Sequence, residues 1–211
     1  MHNRQHDKEM GITARQFKQM QERLSGGRRA AEPVFVSTVN GISRPHQVIL
    51  GLDPSLRGTG YGIIQLSKAG ARNLAHGTVS CPAGWAHSRC LVRIAQELRD
   101  IIARHKPTVC VVEGLFYAQN LQTALIMGEA RGAALATVAE AGLEIYEIAT
   151  RKVKQAIVGY GAAQKIAVAK MVQRMLSLPE VPAPDAADAL ALALTHAQEN
   201  GRFSLSAPRR I

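Results

Sequence analysis

The stretch ILGLDPSLRGTGYGII, residues 49–64, decides the fold, because an apolar run ends on the carboxylate Asp53 and a second apolar run follows at once. Pro54 and the glycines after it are typical of a turn between two strands. A strand built for a protein interior therefore stops on a charge. A buried, unpaired carboxylate is costly, so Asp53 is expected to meet a partner from elsewhere in the chain or a bound cation.

The chain around this stretch reads as strands followed by helices. Three short apolar runs, QVILGLD, GYGIIQLS and LAHGTVS, are separated by turn residues and predict three adjacent strands. SRCLVRIAQELRDIIARH has apolar residues near helical spacing and ends before Pro107, which predicts a helix. TVCVVEG is an apolar run ending on Glu113 and is typical of a central strand buried on both faces.

The second half of the chain continues the alternation. A long helix is predicted for residues 121–141, then a short strand in LEIYEI, then basic helical segments and a last helix that starts near Pro184. This order predicts a mixed α/β domain in which helices pack on a sheet.

Composition narrows the class of partner. The 211 residues are 46% hydrophobic, which suits one domain, and 26 Lys and Arg against 16 Asp and Glu give a net charge of +10. That charge favours a polyanion such as nucleic acid as the partner, although a ribosome-associated or merely basic protein has the same balance.

No transmembrane or secretory segment is recognisable in the sequence, and three cysteines without paired spacing indicate neither disulfides nor zinc. The cytoplasm is the predicted location.

The two ends of the chain differ from its middle. Residues 1–46 mix charge, Gln, Ser and Gly and are predicted to be a basic, poorly ordered extension, with a possible short helix near residues 13–24. This extension could be an auxiliary DNA-binding arm, a targeting segment or the result of an upstream start codon. Residues 200–211 are predicted to be a basic tail, which leaves residues 47–199 as the folded domain.

Four acidic residues stand where they could meet. Asp53 and Glu113 each end an apolar strand, so their carboxylates meet at one edge of the sheet if the two strands are neighbours. PAPDAADALALALTHA places Asp185 and Asp188 three residues apart on one face of the last helix, whose alanines allow a close approach to the sheet. Asp185 alone is equally explained as an acid favoured at a helix N-terminus.

Gathering four carboxylates has an electrostatic cost that points to metal ions. Each pair of unit charges about 4 Å apart repels by roughly 4 kcal/mol at an effective dielectric of 20. Divalent cations remove this cost, and hard oxygen ligands suit Mg²⁺ or Mn²⁺. A pair of such ions can activate a water and stabilise the leaving oxygen in phosphodiester cleavage. An acidic site of this kind in a basic chain is what a metal-dependent nuclease needs.

Five motifs in order carry a family resemblance over residues 47–199: GLDPSLRGTGYG, VVEGLFYAQN, MGEARG, RKVKQAIVGYGAAQK and DAADALALALTHA. Together they closely resemble the RuvC-type Holliday-junction resolvases. The resemblance implies a ribonuclease-H-like fold, a mixed five-stranded sheet flanked by helices. It also implies a metal-binding catalytic set and two Mg²⁺ ions per subunit, for which Mn²⁺ can substitute; the set is Asp53, Glu113, Asp185 and Asp188.

The same resemblance implies an activity and partners. Members of this family are Mg²⁺-dependent endonucleases that resolve four-way DNA junctions by paired symmetric nicks during homologous recombination and repair. They act as homodimers with a branch-migration motor and its junction-binding subunit. In this chain the helix at residues 121–141 is apolar on more than one side and carries a row of small residues, Gly128, Gly132 and Ala136, which invites a helix–helix contact. Burial inside one domain is the alternative explanation of that row.

Other residues are candidates for contact with DNA. Phe116 and Tyr117 follow Glu113 in a loop, and stacking of a ring on an unpaired base is worth about 1–3 kcal/mol. The resemblance implies that Phe116 is the wedge and that Tyr117 contacts the backbone; the alternative is that both rings cap the core.

A basic cluster could bind phosphates without reading sequence, although a solvated basic face is the usual meaning of such a run. Its members are Arg151, Lys152, Lys154, Lys165 and Lys170. The resemblance points to Lys154 and Lys165 as the phosphate-contacting pair. Arg57 is a weaker candidate for DNA contact, since it could simply pair with a surface acid.

The chain departs from the family at Ser55, where Gly usually follows Asp-Pro. A turn that required positive φ there would be mildly strained by serine. Two other functions would use some of the same residues. A sugar-kinase or actin-like ATPase needs two domains and a second glycine-rich phosphate loop, which the sequence lacks. A catalytically silent junction-binding protein would be expected to have lost one of the four acids.

Overall fold

The computed structural model describes Lys18 and residues 47–114, 120–200 and 209–211. The chain divides into two units, Met1–Ile42 and Ser43–Ile211, and apart from Lys18 every described residue belongs to the second. The predicted extension and its possible helix therefore lie outside the described residues, except for Lys18, which is helical.

Strands and helices follow the predicted order. The elements of the described chain are β1 (Val48–Asp53), β2 (Gly58–Ser67), β3 (Gly70–Ser80), α1 (His87–His105), β4 (Val109–Glu113), α2 (Leu121–Glu140), β5 (Glu144–Ile148), α3 (Thr150–Val158), α4 (Lys165–Met175), α5 (Pro184–Asn200) and β6 (Arg209–Arg210). None of the helices in the described ranges is long and apolar enough to span a membrane.

The strands form one sheet in the order β3-β2-β1-β4-β5-β6. β1, β4 and β5 are parallel, whereas β2, β3 and β6 run antiparallel to the strands beside them. The predicted mixed five-stranded sheet flanked by helices is thus confirmed. β6 is an addition that the sequence did not predict: two residues of the expected C-terminal tail pair with Tyr146 and Glu147 of β5.

Alternation along the strands divides the core between the two faces of the sheet. Leu50 and Leu52 of β1 pack in a buried cluster with residues of α1 and α2, whereas Ile49 packs in a second cluster with residues of α3, α4 and α5. β4 alternates in the same way, with Val109 and Val111 in the second cluster. Because successive side chains of a strand point to opposite faces, the last residues of β1 and β4 face the α5 side.

Helix α5 lies unusually close to the sheet because both surfaces lack bulk. A Cβ atom on Gly51 of β1 would stand 1.9 Å from the carbonyl oxygen of Ala189, and one on Gly60 of β2 would stand 2.1 Å from that of Asp185. The alanines of α5 were expected to allow this approach. The glycines opposite them are equally necessary, and the sequence analysis assigned them no packing role.

The cysteines behave as packing residues. Cys81, Cys90 and Cys110 are free and buried, and all three belong to the core cluster on the α1 and α2 side. Their side chains therefore contribute to packing and form no disulfide.

Candidate active site

Asp53 and Glu113 stand side by side at one edge of the sheet. Their strands are parallel neighbours, and Leu52 of β1 is in register with Val112 of β4, so the next residue on each strand is a carboxylate. Both are partly buried. The strand pairing that the sequence analysis required is therefore present.

Helix α5 brings the other two acids to the same edge. Asp53 is in register with Gly60 of β2, and the main chain of Asp185 lies over that glycine. The Oδ2 atom of Asp185 would stand 2.9 Å from a Cβ atom on Gly58. Asp188 is on the same helix, one turn further on, and lines a pocket together with Glu113.

The pKa of Asp53 depends on the other three acids. Burial, followed by the negative charges of Glu113, Asp188 and Asp185, raises the pKa of Asp53 to about 7, against the lowering effect of Lys165. In the absence of cations, the carboxyl group of Asp53 is therefore partly protonated near neutral pH. A buried carboxylate whose pKa is raised in this way beside other carboxylates fits a hard divalent cation, which would favour the charged form of Asp53.

Two of the four carboxylates are held by protein groups. The hydroxyl of Thr150 donates to Oε1 of Glu113, and Nζ of Lys165 donates to Oδ2 of Asp188 at 2.7 Å. No three His, Cys, Asp or Glu side chains within the described ranges already have the arrangement of a formed metal site. The carboxylates fit divalent cations by their chemistry, and binding would require their side chains to exchange these internal contacts and move closer together.

Lys154 and Lys165 are the basic residues of the pocket. Both line a cavity of about 70 Å³ together with Glu113, Thr150 and Asp188. The hydrogen bond to Asp188, with the charges of the nearby carboxylates, raises the pKa of Lys165 although partial burial opposes this. The side chain of Lys165 is 71% exposed, so its ammonium is both charged and accessible.

The other predicted DNA contacts lie differently. Lys152 pairs with Glu199 toward the far end of α5 at 2.5 Å, and neither Lys152 nor Arg151 lines the pocket. Arg151 is exposed on α3, where its side chain lies against Gly161. Phe116 and Tyr117 fall within residues 115–119, outside the described residues.

Arg57 has partners other than the surface acid that the sequence suggested. Its guanidinium donates to the carbonyl oxygens of Pro82 and Trp85 at 2.6 and 3.1 Å, and to Sγ of Cys90 at 3.2 Å. These contacts fasten the turn after β1 to the connection between β3 and α1. Its role as a DNA contact stays a prediction.

The turn after Asp53 accommodates Ser55 without strain, because Ser55 is not at positive φ. Its hydroxyl accepts a hydrogen bond from the Gly58 N–H at 3.1 Å, and the hydroxyl of buried Thr59 donates to the Ser55 carbonyl at 2.7 Å. Serine therefore helps to hold the turn that carries Asp53.

Sequence reasoning missed two residues that contact Glu113. One is Thr150, described above. The other is Arg131 of α2, whose guanidinium donates to the Glu113 carbonyl oxygen at 2.5 Å and to Oε2 of Glu147 at 2.6 Å. Arg131 lies within the motif MGEARG, and the single basic residue of a mostly apolar helix was the signal that could have identified it.

Comparison with known proteins covers the part of the chain that carries the four acids. The family model described as crossover junction endodeoxyribonuclease RuvC matches residues 49–196, well over half of the chain and including all four acids. The chain belongs to the RuvC family. The RuvC proteins of Akkermansia muciniphila and of a Geobacter species are 46% and 43% identical to it over 148 and 160 residues, which are 70% and 75% of this chain and 89% and 96% of theirs.

A solved RuvC structure shows the same fold. Thermus thermophilus RuvC, solved in complex with a Holliday junction substrate, matches with a TM-score of 0.71 and 33% identity. The match covers 79% of this chain and 100% of that one. The resemblance drawn from the five sequence motifs is confirmed.

Proposed function

We propose that this RuvC-family chain is a metal-dependent endonuclease that resolves four-way DNA junctions by paired symmetric nicks, in homologous recombination and DNA repair. One observation carries the proposal: Asp53, Glu113, Asp185 and Asp188, from two strands and a helix, converge at one edge of the sheet and act together on the pKa of Asp53. Family membership supplies the substrate class.

The four acids are proposed as the ligands of two Mg²⁺ ions per subunit, with Mn²⁺ as a substitute. Asp53 would be the central member of this set, because the charges of the other three acids all raise its pKa. Divalent cations, when bound, would offset the carboxylate repulsion. They would also lower the pKa of a water, so that it loses a proton more readily and becomes a better nucleophile toward a phosphodiester.

Lys154 and Lys165 are proposed to bind the phosphate at the reacting position. Both line the pocket beside Glu113 and Asp188, and an ammonium there would stabilise charge that develops on the phosphate oxygens. Lys165 can turn from Asp188 to a phosphate, since its side chain is largely exposed. The proposed products are 5′-phosphate and 3′-hydroxyl ends that a ligase can seal.

A homodimer is part of the proposal, and α2 is the surface proposed to form it. Gly128 and Gly132 are exposed, a Cβ atom on either would meet no atom within 4 Å, and Ala136 continues the row. Leu121 and Leu125 are 76% and 61% exposed on the same helix. Small residues beside exposed leucines suit close packing against a second copy, and a two-fold dimer would present two equivalent sites to a junction.

Further partners and the location of the protein are also proposed. Family resemblance supports action beside a branch-migration motor and its junction-binding subunit, and three free, buried cysteines are compatible with a cytoplasmic protein. Co-sedimentation of the purified chain with the motor subunits on a four-way junction tests the first of these.

The proposed activity is tested with an end-labelled four-way junction, a fork and a linear duplex, each with Mg²⁺ and with EDTA. Paired symmetric nicks on the junction alone, only with Mg²⁺, and their loss in Asp53→Asn, are expected. Tight junction binding without cleavage would instead support a silent junction-binding protein. Equal cleavage of the junction, the fork and the duplex would contradict the proposed preference for four-way junctions.

A further inference from the structure

Glu113 is held from both faces of the sheet. Its side chain points toward α3 and α5, where the Thr150 hydroxyl donates to Oε1 of the carboxylate. Its carbonyl oxygen accepts from Nη1 of Arg131, which belongs to α2 on the opposite face. The backbone and the carboxylate of one residue are thus fixed by separate groups from separate layers.

Arg131 has a geometry that lysine could not reproduce. Its side chain is 10% exposed, and the two ends of its planar guanidinium reach acceptors on two neighbouring strands, the Glu113 carbonyl of β4 and the Glu147 carboxylate of β5. A guanidinium offers donors in a fixed fork, whereas an ammonium is a single point charge on a flexible chain. Arg131 therefore sets the position of one strand end relative to the other.

The contact between Arg131 and the Glu113 carbonyl oxygen lies at the last residue of β4. Gly114, the next residue, still donates from its N–H to the Ile148 carbonyl oxygen at 2.8 Å. Since Glu113 ends the strand, a shift of its backbone would move its carboxylate directly. Displacement of a reacting group by about 1 Å can cost about 10²-fold in rate.

Thr150 acts on the other end of the same residue. By donating to Oε1, its hydroxyl restricts rotation of the Glu113 carboxylate and leaves Oε2 free of that contact. Hydrogen bonds of this kind orient metal ligands, and their loss typically costs about 10- to 100-fold in metal affinity or activity.

We propose that Arg131 and Thr150 are positioning residues that hold Glu113 in place for cation binding, Arg131 through its backbone and Thr150 through its carboxylate. This inference rests on the proposed function, in which Glu113 is a metal ligand. Neither residue is assigned to touch DNA or a cation.

Arg131 is tested with a variant series that separates positioning from stability. Arg131→Met removes both contacts, Arg131→Lys keeps the charge, and Glu147→Gln removes the ion pair while leaving the Glu113 contact. Arg99→Met is the matched control, because Arg99 makes an ion pair with Glu140 at the other end of α2. We expect about 10- to 100-fold lower kcat for Arg131→Met, partial recovery in Arg131→Lys, and less than about threefold change in the other two.

Thr150 provides a second test that does not risk the fold. Thr150→Val keeps the shape and removes the donor, whereas Thr150→Ser keeps the donor and removes a methyl group. We expect Thr150→Val to raise the Mg²⁺ concentration for half-maximal cleavage by about tenfold, with KM for the junction unchanged, and Thr150→Ser to restore it. Equal activity of the valine and serine variants would overturn the role of Thr150.

Cation binding is measured separately by calorimetric titration with Mn²⁺, alongside thermal unfolding in EDTA. Weaker Mn²⁺ binding in Arg131→Met and Thr150→Val, but not in Glu147→Gln or Arg99→Met, supports the inference even if the wild-type protein cuts no junction, a result that would reject the proposed function alone. If Arg131→Met and Glu147→Gln lose melting temperature and Mn²⁺ affinity equally, Arg131 is a stabilising residue only and its positioning role is wrong.

Discussion

At the scale of single residues, the raised pKa of Asp53 predicts how the stability of the protein changes with pH. Its pKa rises from 3.8 in the unfolded chain to about 7 in the fold, so the folded state binds the proton more tightly. The protonated group supports folding below pH 3.8, and this contribution is lost as pH rises through 7. Without metal, Asp53→Asn should therefore gain melting temperature over wild type between pH 4 and 7 and level off above.

The size of that gain reflects the cost of burying the charged carboxylate and, after it, the repulsion by the neighbouring acids, both of which the substitution removes. A change of about 1 kcal/mol in the free energy of unfolding shifts the melting temperature by roughly 2–4 °C for a chain of this size. Thermal unfolding in EDTA at a series of pH values measures the gain. The matched control is Asp100→Asn, because Asp100 is an exposed residue of α1 away from the four acids, and its melting temperature should stay close to that of wild type. Added Mg²⁺ should erase the advantage of the Asp53 variant. A difference that is constant from pH 4 to 8 would contradict the prediction.

Lys165 gives a second prediction at this scale, because its ammonium is charged, accessible and hydrogen-bonded to Asp188. Lys165→Met should lower kcat for junction cleavage by about 10²-fold or more, with a much smaller change in KM, if the ammonium stabilises charge developing on the phosphate. Lys170→Met, an exposed lysine of the same helix that does not line the pocket, is the control. Equal losses in both variants would reduce Lys165 to a general phosphate contact.

At the scale of elements, the sequence predicted what depends on local pattern. The apolar run ending on Glu113 correctly indicated a central strand, and the alanine-rich segment after Pro184 correctly indicated the helix that carries two acids. Arg131 and Thr150 escaped prediction because their contacts join elements that are distant along the chain. β6 escaped because two residues carry too little periodicity to indicate a strand.

The packing of α5 on β1 is tested by adding one methyl group. Gly51→Ala would place its Cβ atom 1.9 Å from the Ala189 carbonyl oxygen, a backbone atom that no rotamer change can move aside. We expect a loss of at least about 1–3 kcal/mol in the free energy of unfolding, measured with urea, and a fall in cleavage because α5 carries Asp185 and Asp188.

The control for this substitution is Gly84→Ala, since Gly84 is exposed and a Cβ atom there meets nothing within 4 Å. It should leave both stability and cleavage close to wild type. Unchanged unfolding of Gly51→Ala would mean that α5 does not rest on the glycines of the sheet.

At the scale of the whole molecule, helix α2 has one side near the four acids and another side exposed. The buried side of α2 carries Arg131 and its contact with Glu113, while the exposed side carries Gly128, Gly132 and Leu125. The sequence indicated that α2 has two apolar sides but left open whether both are buried in one domain. The structure leaves one of them exposed, which supports an intermolecular use.

The proposed dimer makes the last prediction. Leu125→Glu places a charge on an exposed residue of α2, so the monomer should fold normally, whereas burial of that charge against a second copy would be costly. We expect at least tenfold weaker self-association by sedimentation equilibrium, with unchanged thermal unfolding, and isolated nicks in place of paired ones. Val181→Glu, an exposed apolar residue beyond α4, should leave the dimer intact. Because two linked sites are needed to cut opposing strands together, a Leu125→Glu monomer that still made paired nicks would show that symmetric cleavage does not depend on this surface.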